Sequence, residues 1–219
     1  MKHIPEKTIK RLSLYYRYLY FLSQQGTVNI SSRSLADLLE ANPSQIRKDL
    51  SYFGEFGKTG TGYNVPELKR QIAKILGLEQ GRKVAIIGMG NLGMALTAYK
   101  GFEVLGFQVV AIFDNSSRKI GKKYRGRICQ DMKNFAQAVK RDKIEMTILT
   151  VPAEVAQEVA AAVVSAGIKA ILNFAPVHLN VPKDVRVSNV DLASELKSLS
   201  FYVSGLRRPR KKELTRKRG

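Results

Sequence analysis

Apolar residues in the first third of the chain recur at intervals of three or four positions, which is the spacing of one face of an α-helix. This pattern predicts helices over 8–25, from Ser32, over 42–52 and over 68–76, with a short strand at 28–30. Glycines at 77 and 81 bound a linker. The elements predict a small helical domain over residues 1–80.

From residue 84 onwards, short continuous apolar runs alternate with segments of helical spacing. The runs predict a buried strand at 84–87 and a second strand that ends at Asp114. Further strands are predicted at 127–129, 146–151, 170–173 and 185–187. Strands that alternate with helices indicate a parallel sheet with right-handed crossovers. The predicted fold class is therefore α/β, with a Rossmann-type parallel sheet over 81–190.

A last helix is predicted over 191–206. Asp191 can cap its first turn, and an apolar stripe runs along it through Leu192, Leu196, Leu199 and Val203. The sequence leaves open whether this stripe packs on its own domain. Residues 207–219 carry eight basic residues and one acidic residue and are predicted to be a disordered basic tail.

The helix over 42–52 has the features of a recognition helix. Asn42 is a good N-cap, Pro43 suits the first helical position, and Gln45 can reach back as in a capping box. The outward positions carry side chains that suit phosphates and base edges, namely Ser44, Arg47, Lys48 and Ser51. Such a helix, preceded by a helix and a tight turn, indicates a helix-turn-helix DNA-binding unit.

Four glycines within residues 54–62 predict a hairpin directly after that helix. In a DNA-binding domain this hairpin would be the wing of a winged helix, with Lys58 near its tip against phosphate or the minor groove. Gln45 and Tyr63 complete the predicted DNA contacts. The alternative that these segments leave open is an ordinary solvated helix face.

The strand at 84–87 leads into a GxGxxG sequence, Gly88-Met89-Gly90-Asn91-Leu92-Gly93. The first glycine can make a tight turn, the second has no Cβ to block a pyrophosphate, and the third lets the next helix pack closely. Asp114 follows at the end of the next strand, where a carboxylate can accept both ribose hydroxyls. The arrangement predicts a dinucleotide site. A glycine-rich turn in an ordinary α/β domain is the alternative.

Two proline-containing turns leave the predicted carboxyl ends of later strands, where ligands bind in such sheets. They are Thr150-Val151-Pro152 and Asn173-Phe174-Ala175-Pro176. Their apolar side chains predict a poorly hydrated nicotinamide pocket, which disfavours the cationic oxidised ring more than the neutral reduced ring. The predicted cofactors are NADH and NAD.

The charge of the chain narrows the choice of partner. The sequence has 37 basic and 18 acidic residues, and its net charge of +19 favours a polyanion such as double-stranded DNA. Charged residues interrupt every apolar run before the roughly 20 residues that a membrane helix needs. With no apolar leader, one cysteine and two histidines, a cytoplasmic protein without a membrane partner or a metal is expected.

Five strings in the sequence are distinctive: QIRKDLSYFGEFGKTGTGYN, GMGNLG, TVPAE, GIKAILNFAPV and NVDLASELKSLSFY. Through them the chain closely resembles the Rex family of bacterial redox-sensing transcriptional repressors, from about residue 4 to 202. The resemblance implies a homodimer that binds inverted-repeat operators and releases them when NADH rises. It also implies a winged helix-turn-helix, a Rossmann-type domain and a C-terminal domain-swapped helix.

Two charged residues stand among uncharged neighbours. Arg17 is the only charge between Leu12 and Ser32, and Asp191 lies in Ser-Asn-Val-Asp-Leu-Ala. A partly buried pair between them would be costly to break on one side. By the resemblance, Arg17, Asp191 and Tyr99 form a switch contact that differs between DNA-bound and NADH-bound dimers. The alternative is a solvated arginine and an aspartate that only caps its helix.

Two other classes of function are alternatives to a repressor. A small NAD-dependent oxidoreductase needs a proton donor at the nicotinamide, for which Thr150, Asn173 and His178 are unconvincing, so no catalytic residue is predicted. A CoA-type nucleotide domain is less favoured, because Asp114 suits a ribose with free hydroxyls.

Two further features of the sequence bear on the cofactor and on redox chemistry. Six basic residues in 118–127 could reduce a preference for NAD over NADP. Cys129 is predicted to be a small buried residue rather than a thiol sensor.

Overall fold

A computed structural model describes residues 4–57 and 62–206 of the chain. They form two compact units. One comprises the residues up to Lys83 together with Tyr99–Val109, and the other comprises Val84–Ala98 together with the residues from Val110 onward. Lys58 and the basic tail lie outside the described residues. The domain boundaries at 80, 190 and 206 stay predictions.

Helices and a two-stranded sheet form the part of the first unit that precedes Lys83. The elements are α1 (Glu6–Gln24), β1 (Asn29–Ile30), α2 (Ser32–Leu38), α3 (Pro43–Ser51), β2 (Tyr63–Asn64) and α4 (Val65–Ile75). Apolar residues at helical spacing meet in the core, among them Leu12, Leu19, Leu35, Ile46 and Ile72. The predicted helices are therefore confirmed.

The caps of α2 and α3 follow the predicted chemistry only in part. The Ser31 hydroxyl accepts the Ser34 N–H at 2.9 Å, and the Asn42 side chain accepts the Ser44 N–H at 2.9 Å. Gln45 does not reach back to complete a capping box. Its amide N–H instead donates to Asp49 Oδ1 at 2.9 Å, which directs the side chain toward that buried carboxylate one turn later.

The predicted hairpin spans the glycine-rich segment, of which 58–61 lie outside the described residues, so the hairpin and its role as a wing stay predictions. Tyr63 and Asn64 pair antiparallel with Ile30 and Asn29. Ile30 and Tyr63 are both buried in the core, so this short pairing is held from its inner face.

The strands after residue 81 form one seven-stranded sheet. They are β3 (Arg82–Ile87), β4 (Phe107–Asp114), β5 (Lys123–Tyr124), β6 (Arg127–Asp131), β7 (Met146–Leu149), β8 (Ala170–Asn173) and β9 (Arg186–Asn189). The order across the sheet is β5-β6-β4-β3-β7-β8-β9. Strand β5 runs antiparallel to β6, while the pairs β4–β6, β3–β7, β7–β8 and β8–β9 are parallel.

This strand order defines where a ligand can enter. The chain runs outward from β3 through β4 to β6 and then returns to β7 on the other side of β3. The switch point therefore lies between β3 and β7, and ligands of such sheets bind outside the carboxyl ends of the strands there. The predicted Rossmann-type α/β fold is confirmed.

Five α-helices complete the described residues together with a short 3-10 helix (Met132–Asn134), and the last α-helix exposes an apolar face. The α-helices are α5 (Asn91–Thr97), α6 (Gly101–Val104), α7 (Phe135–Asp142), α8 (Ala153–Ser165) and α9 (Leu192–Leu206). On α9, Leu196 is 69% exposed and Phe201 75% exposed. Asp191 caps α9 as predicted, since its carboxylate accepts the Ser194 N–H at 2.9 Å.

A buried carboxylate joins α3 to α1. Asp49 is fully buried and accepts hydrogen bonds from the guanidinium of Arg11, with one at 2.7 Å, and from the Tyr15 hydroxyl at 2.8 Å. Thr8 and Gln45 complete its shell. Burial alone would raise the pKa of Asp49, but the donors, with Arg11 first, outweigh burial and lower it.

We expect Asp49→Asn to destabilise the protein at neutral pH by about 3 kcal/mol, because Arg11 would lose its buried partner. Since the pKa of Asp49 is lowered on folding, its contribution is present above the unfolded pKa of about 3.9 and is lost as pH falls through the folded value. Unfolding followed by circular dichroism at neutral and acid pH measures both effects. Asp184→Asn, which removes only an exposed pair with Lys169, is the control and should change little. Equal stability of the two variants would contradict the role assigned to Asp49.

Candidate functional site

The loop after β3 has the tight packing that its glycines predict. Gly88 has φ +99° and donates its N–H to the Phe113 carbonyl at 2.8 Å. Thr150 donates to the Gly88 carbonyl at 2.6 Å. A Cβ on Gly93 would overlap the Gly88 carbonyl, whereas a Cβ on Gly90 would meet nothing within 4 Å. Gly88 and Gly93 therefore close the loop on the sheet, and Gly90 faces open space.

Asp114 holds this loop from the end of β4. Its Oδ2 accepts the Met89 N–H at 2.7 Å and the Lys119 ammonium at 2.9 Å, and its Oδ1 accepts the Ser116 N–H at 2.8 Å. Burial alone would raise the pKa of Asp114. The bonds from Lys119 and the two backbone N–H groups outweigh burial, so the pKa lies below its usual value and the group is a carboxylate at neutral pH.

A cavity of about 760 Å³ opens at the switch point beside this carboxylate. Eight residues predicted to bind cofactor line it, namely Gly88, Gly90, Leu92, Asp114, Thr150, Val151, Pro152 and Phe174. The cavity meets the glycine loop at one side and the apolar turn after β7 at another. Its size suits a nucleotide-class ligand.

The other predicted cofactor residues lie around the cavity and are not part of its lining. Met89 is buried and contributes its backbone N–H to Asp114, and Gly93 packs beneath the loop. Asn91 begins α5. Asn173 is fully buried, and its amide bonds the Ala175 and Val177 carbonyls, so it fixes the turn before Pro176.

Sequence reasoning missed part of the lining. Val155, Glu158, Val159 and Ala162 come from one face of α8, and Asn115, Ser116, Lys119, Met132 and Lys133 come from the loops after β4 and β6. The spacing of the α8 residues at three and four positions could have identified them as one face. No pattern in the basic run distinguishes Lys119 from its neighbours.

The outward face of α3 is available for nucleic acid. Ser44, Arg47, Lys48 and Ser51 are exposed, and Arg47 donates to the Ser32 hydroxyl at 3.0 Å. Two residues predicted to contact DNA do not lie on this exposed face. Tyr63 is 7% exposed and packs in the core, and the Gln45 amide is bonded to Asp49. Successive residues of a strand face opposite sides, and the pairing of β2 with β1 puts Tyr63 on the core side and Asn64 on the solvent side. Lys58 lies outside the described residues.

The three predicted switch residues have identifiable contacts within their own units. The Arg17 guanidinium lies 5.4 Å from the centroid of the Tyr18 ring, and the exposed Tyr99 ring packs edge-on against Phe102. Asp191 caps α9, and Ser194 holds the pKa of Asp191 below its usual value. Their exchange between two dimer states stays a prediction.

Cys129 is 1% exposed, and burial raises the pKa of its thiol, which is unfavourable for a reactive thiolate. Across 4–57 and 62–206, no group of three or more His, Cys, Asp or Glu side chains could hold a metal ion. None of the helices in that part of the chain is long and apolar enough to cross a membrane.

A helix-turn-helix unit and a dinucleotide-type cavity on one chain define the class of ligand-responsive DNA-binding regulators. Residues 3–51 match the family described as "Putative DNA-binding protein N-terminus", and residues 79–177 match the family described as "CoA binding domain". The chain belongs to the Rex family of redox-sensing transcriptional repressors, which are regulators and not enzymes.

Membership in the family rests on similarity along almost the whole chain. The chain is 51% identical to the redox-sensing transcriptional repressor Rex of Desulfitobacterium hafniense, over 94% of this chain and 97% of that protein. Identity to the Rex protein of Carboxydothermus hydrogenoformans is 47%, over 91% and 96% of the two chains. The crystal structure of RSP in complex with β-NAD⁺ and operator DNA superposes with a TM-score of 0.87 and 41% identity, over 94% of this chain and 95% of that one.

The glycine loop offers a pair of matched substitutions. Gly90→Ala should leave stability unchanged, because its Cβ meets open space, but weaken NADH binding roughly tenfold or more, because the methyl would meet the pyrophosphate. Gly93→Ala should lower the free energy of unfolding by about 1–3 kcal/mol, because its Cβ overlaps the Gly88 carbonyl. Thermal unfolding and NADH fluorescence titration measure both quantities. Full NADH affinity in Gly90→Ala would show that the phosphates do not pass over this loop.

Proposed function

We propose that this protein is a repressor that binds inverted-repeat operator DNA as a homodimer and is released when NADH binds. One observation carries the proposal: a dinucleotide-type cavity bordered by Gly88, Gly90 and Asp114 lies on the same chain as helix α3, whose outward face is exposed and basic. A relative with 41% identity is described with NAD⁺ and operator DNA, and another structure of that relative with NADH.

The cofactor-binding role is assigned to the cavity residues and to the glycine loop. Asp114 would contact the adenosine ribose, and the backbone at Gly90 would face the pyrophosphate. The turn after β7 brings Val151 and Pro152 to the cavity, and Phe174 comes from the turn after β8. These apolar side chains favour the neutral reduced nicotinamide over the cationic oxidised ring, because a poorly hydrated pocket penalises charge.

The DNA-binding role is assigned to the outward face of α3. Arg47 suits guanine or phosphate, and Lys48 with the two serines suits phosphates. In a dimer, two such helices would enter successive major-groove faces at a multiple of roughly 34 Å. The net charge of +19 supports this partner, and a DNA partner supports a cytoplasmic location.

The homodimer is supported by α9. Six large apolar or aromatic side chains on it are at least half exposed in the single chain, namely Leu192, Leu196, Leu199, Phe201, Tyr202 and Val203. Exposed apolar surface on this scale marks an interaction site. We assign it to the partner subunit, as an exchanged helix.

The release step is a shift between two dimer geometries. NADH favours the geometry in which the spacing of the recognition helices no longer matches the operator. A shift from 1:99 to 99:1 requires that NADH bind the released geometry more tightly by about 5.5 kcal/mol. Arg17, Tyr99 and Asp191 are the residues we assign to this switch.

A CoA-type ligand is the second candidate, because the family description for residues 79–177 names CoA. The ribose of CoA carries a 3′-phosphate, which would lie against the Asp114 carboxylate. Asp114 has a lowered pKa and is charged at neutral pH, so this position is unfavourable for a phosphate. We therefore favour NADH over CoA.

The test of this function is fluorescence anisotropy on a labelled inverted-repeat operator, titrated separately with NADH, NAD⁺, NADPH and CoA. We expect NADH to release the operator at concentrations where NAD⁺ and CoA do little. Arg47→Ala should weaken operator binding without changing NADH binding, whereas Arg70→Ala on α4, where the arginine pairs with Glu67, should leave both unchanged. Operator binding that none of the four ligands alters would reject the sensor function.

The switch assignment is tested by Asp191→Asn. Asparagine caps a helix nearly as well as aspartate, so α9 is retained while the charge is removed. We expect operator binding to persist and the NADH concentration needed for release to change severalfold in the same anisotropy assay. Ser194→Ala, which perturbs the cap without removing the charge, is the control. An unaltered NADH response in Asp191→Asn would remove Asp191 from the switch.

A further inference from the structure

The cavity contains a cation in direct contact with the acid that reads the ribose. Lys119 lines the cavity, and its ammonium lies 2.9 Å from Asp114 Oδ2. The lysine side chain is 34% exposed, so the ion pair sits at the cavity wall with access to solvent. The loop 115–119 brings it there, since Ser116 is bonded to the other oxygen of the same carboxylate.

The acceptor capacity of Asp114 limits what a ligand can gain from it. A carboxylate offers about four lone-pair positions. Three of them are occupied, by the N–H groups of Met89 and Ser116 and by the ammonium of Lys119. A ribose with two free hydroxyls needs two positions. Both hydroxyls can be accepted only after Lys119 leaves, because the two backbone donors belong to the folded loop.

We propose that Lys119 is a specificity-determining residue that reduces the preference of this cavity for a free ribose over a 2′-phosphorylated ribose. The proposal rests on the proposed dinucleotide-binding function and names a residue that governs which dinucleotide the cavity prefers.

Lys119 acts on the two ligands in opposite directions. For NADH it is a competitor, since its bond to Asp114 must be broken before the second hydroxyl can bind. For NADPH it is a partner, since a displaced ammonium beside the ribose can pair with the 2′-phosphate. The same ammonium also offsets the repulsion between that phosphate and the Asp114 carboxylate.

Two neighbouring cations provide matched controls for this position. Arg118 is adjacent in sequence and exposed, and it is not among the residues that line the cavity. Lys122, in the same basic run, is also exposed and outside the cavity lining. Replacing either one removes the same unit of charge from the chain, so a general electrostatic effect would appear in all three variants.

The experiment measures the dissociation constants of NADH and NADPH by fluorescence titration of the full chain, in wild type, Lys119→Met, Lys119→Arg, Arg118→Met and Lys122→Met. In Lys119→Met we expect NADH to bind as tightly as in wild type or more tightly, and NADPH to bind more weakly. The ratio of the NADPH constant to the NADH constant should rise roughly tenfold or more, the value of one charge-assisted hydrogen bond. Lys119→Arg should keep the ratio close to wild type.

The outcomes separate this proposal from the proposed function. NADH binding with a ratio that is unchanged or lower in Lys119→Met would overturn the role of Lys119 and leave the sensor function intact. An equal rise in Arg118→Met and Lys122→Met would also overturn it, because the effect would then belong to overall charge. Failure of wild type to bind either dinucleotide would overturn both proposals.

Discussion

A single buried carboxylate, Asp114, ties the glycine loop after β3 to the loop after β4. The Met89 N–H on one side and the Ser116 N–H on the other both donate to it, and Lys119 adds a third bond. Without this acceptor two backbone donors near the switch point would lose their partner, which costs about 1–3 kcal/mol for each buried group. The geometry of the cavity therefore depends on the same carboxylate that is assigned to the ribose.

A second buried carboxylate joins two elements of the DNA-binding unit in the same way. Asp49 fixes α3 to α1 through Arg11 and Tyr15, and it also takes the amide of Gln45. Its side chain points inward from the helix whose outward residues, Arg47 and Lys48, are assigned to DNA. In a chain of net charge +19, each of these two acids is paired with one partly buried cation and holds an element to which we assign cofactor or DNA binding.

Much of this arrangement could be predicted from the sequence, because it follows from local chemistry. Spacing identified the helices and the alternating strands, and the glycine loop with Asp114 identified a border of the cavity to which we assign the cofactor. The missed features depend on tertiary contacts. Gln45 left its expected cap because a buried acid lay within reach, and Tyr63 turned inward because β2 pairs with β1. Lys119 resembles the other cations of its run until the loop after β4 brings it to Asp114.

The central claim is that one chain couples dinucleotide binding to operator binding, and linkage makes this coupling reciprocal. The most direct test is the dissociation constant of NADH, measured by fluorescence titration with saturating operator duplex and again with a scrambled duplex of equal length. The account predicts that operator weakens NADH binding by the same factor by which NADH weakens operator binding, with no effect of the scrambled duplex. An NADH affinity that is identical with and without operator would contradict the account.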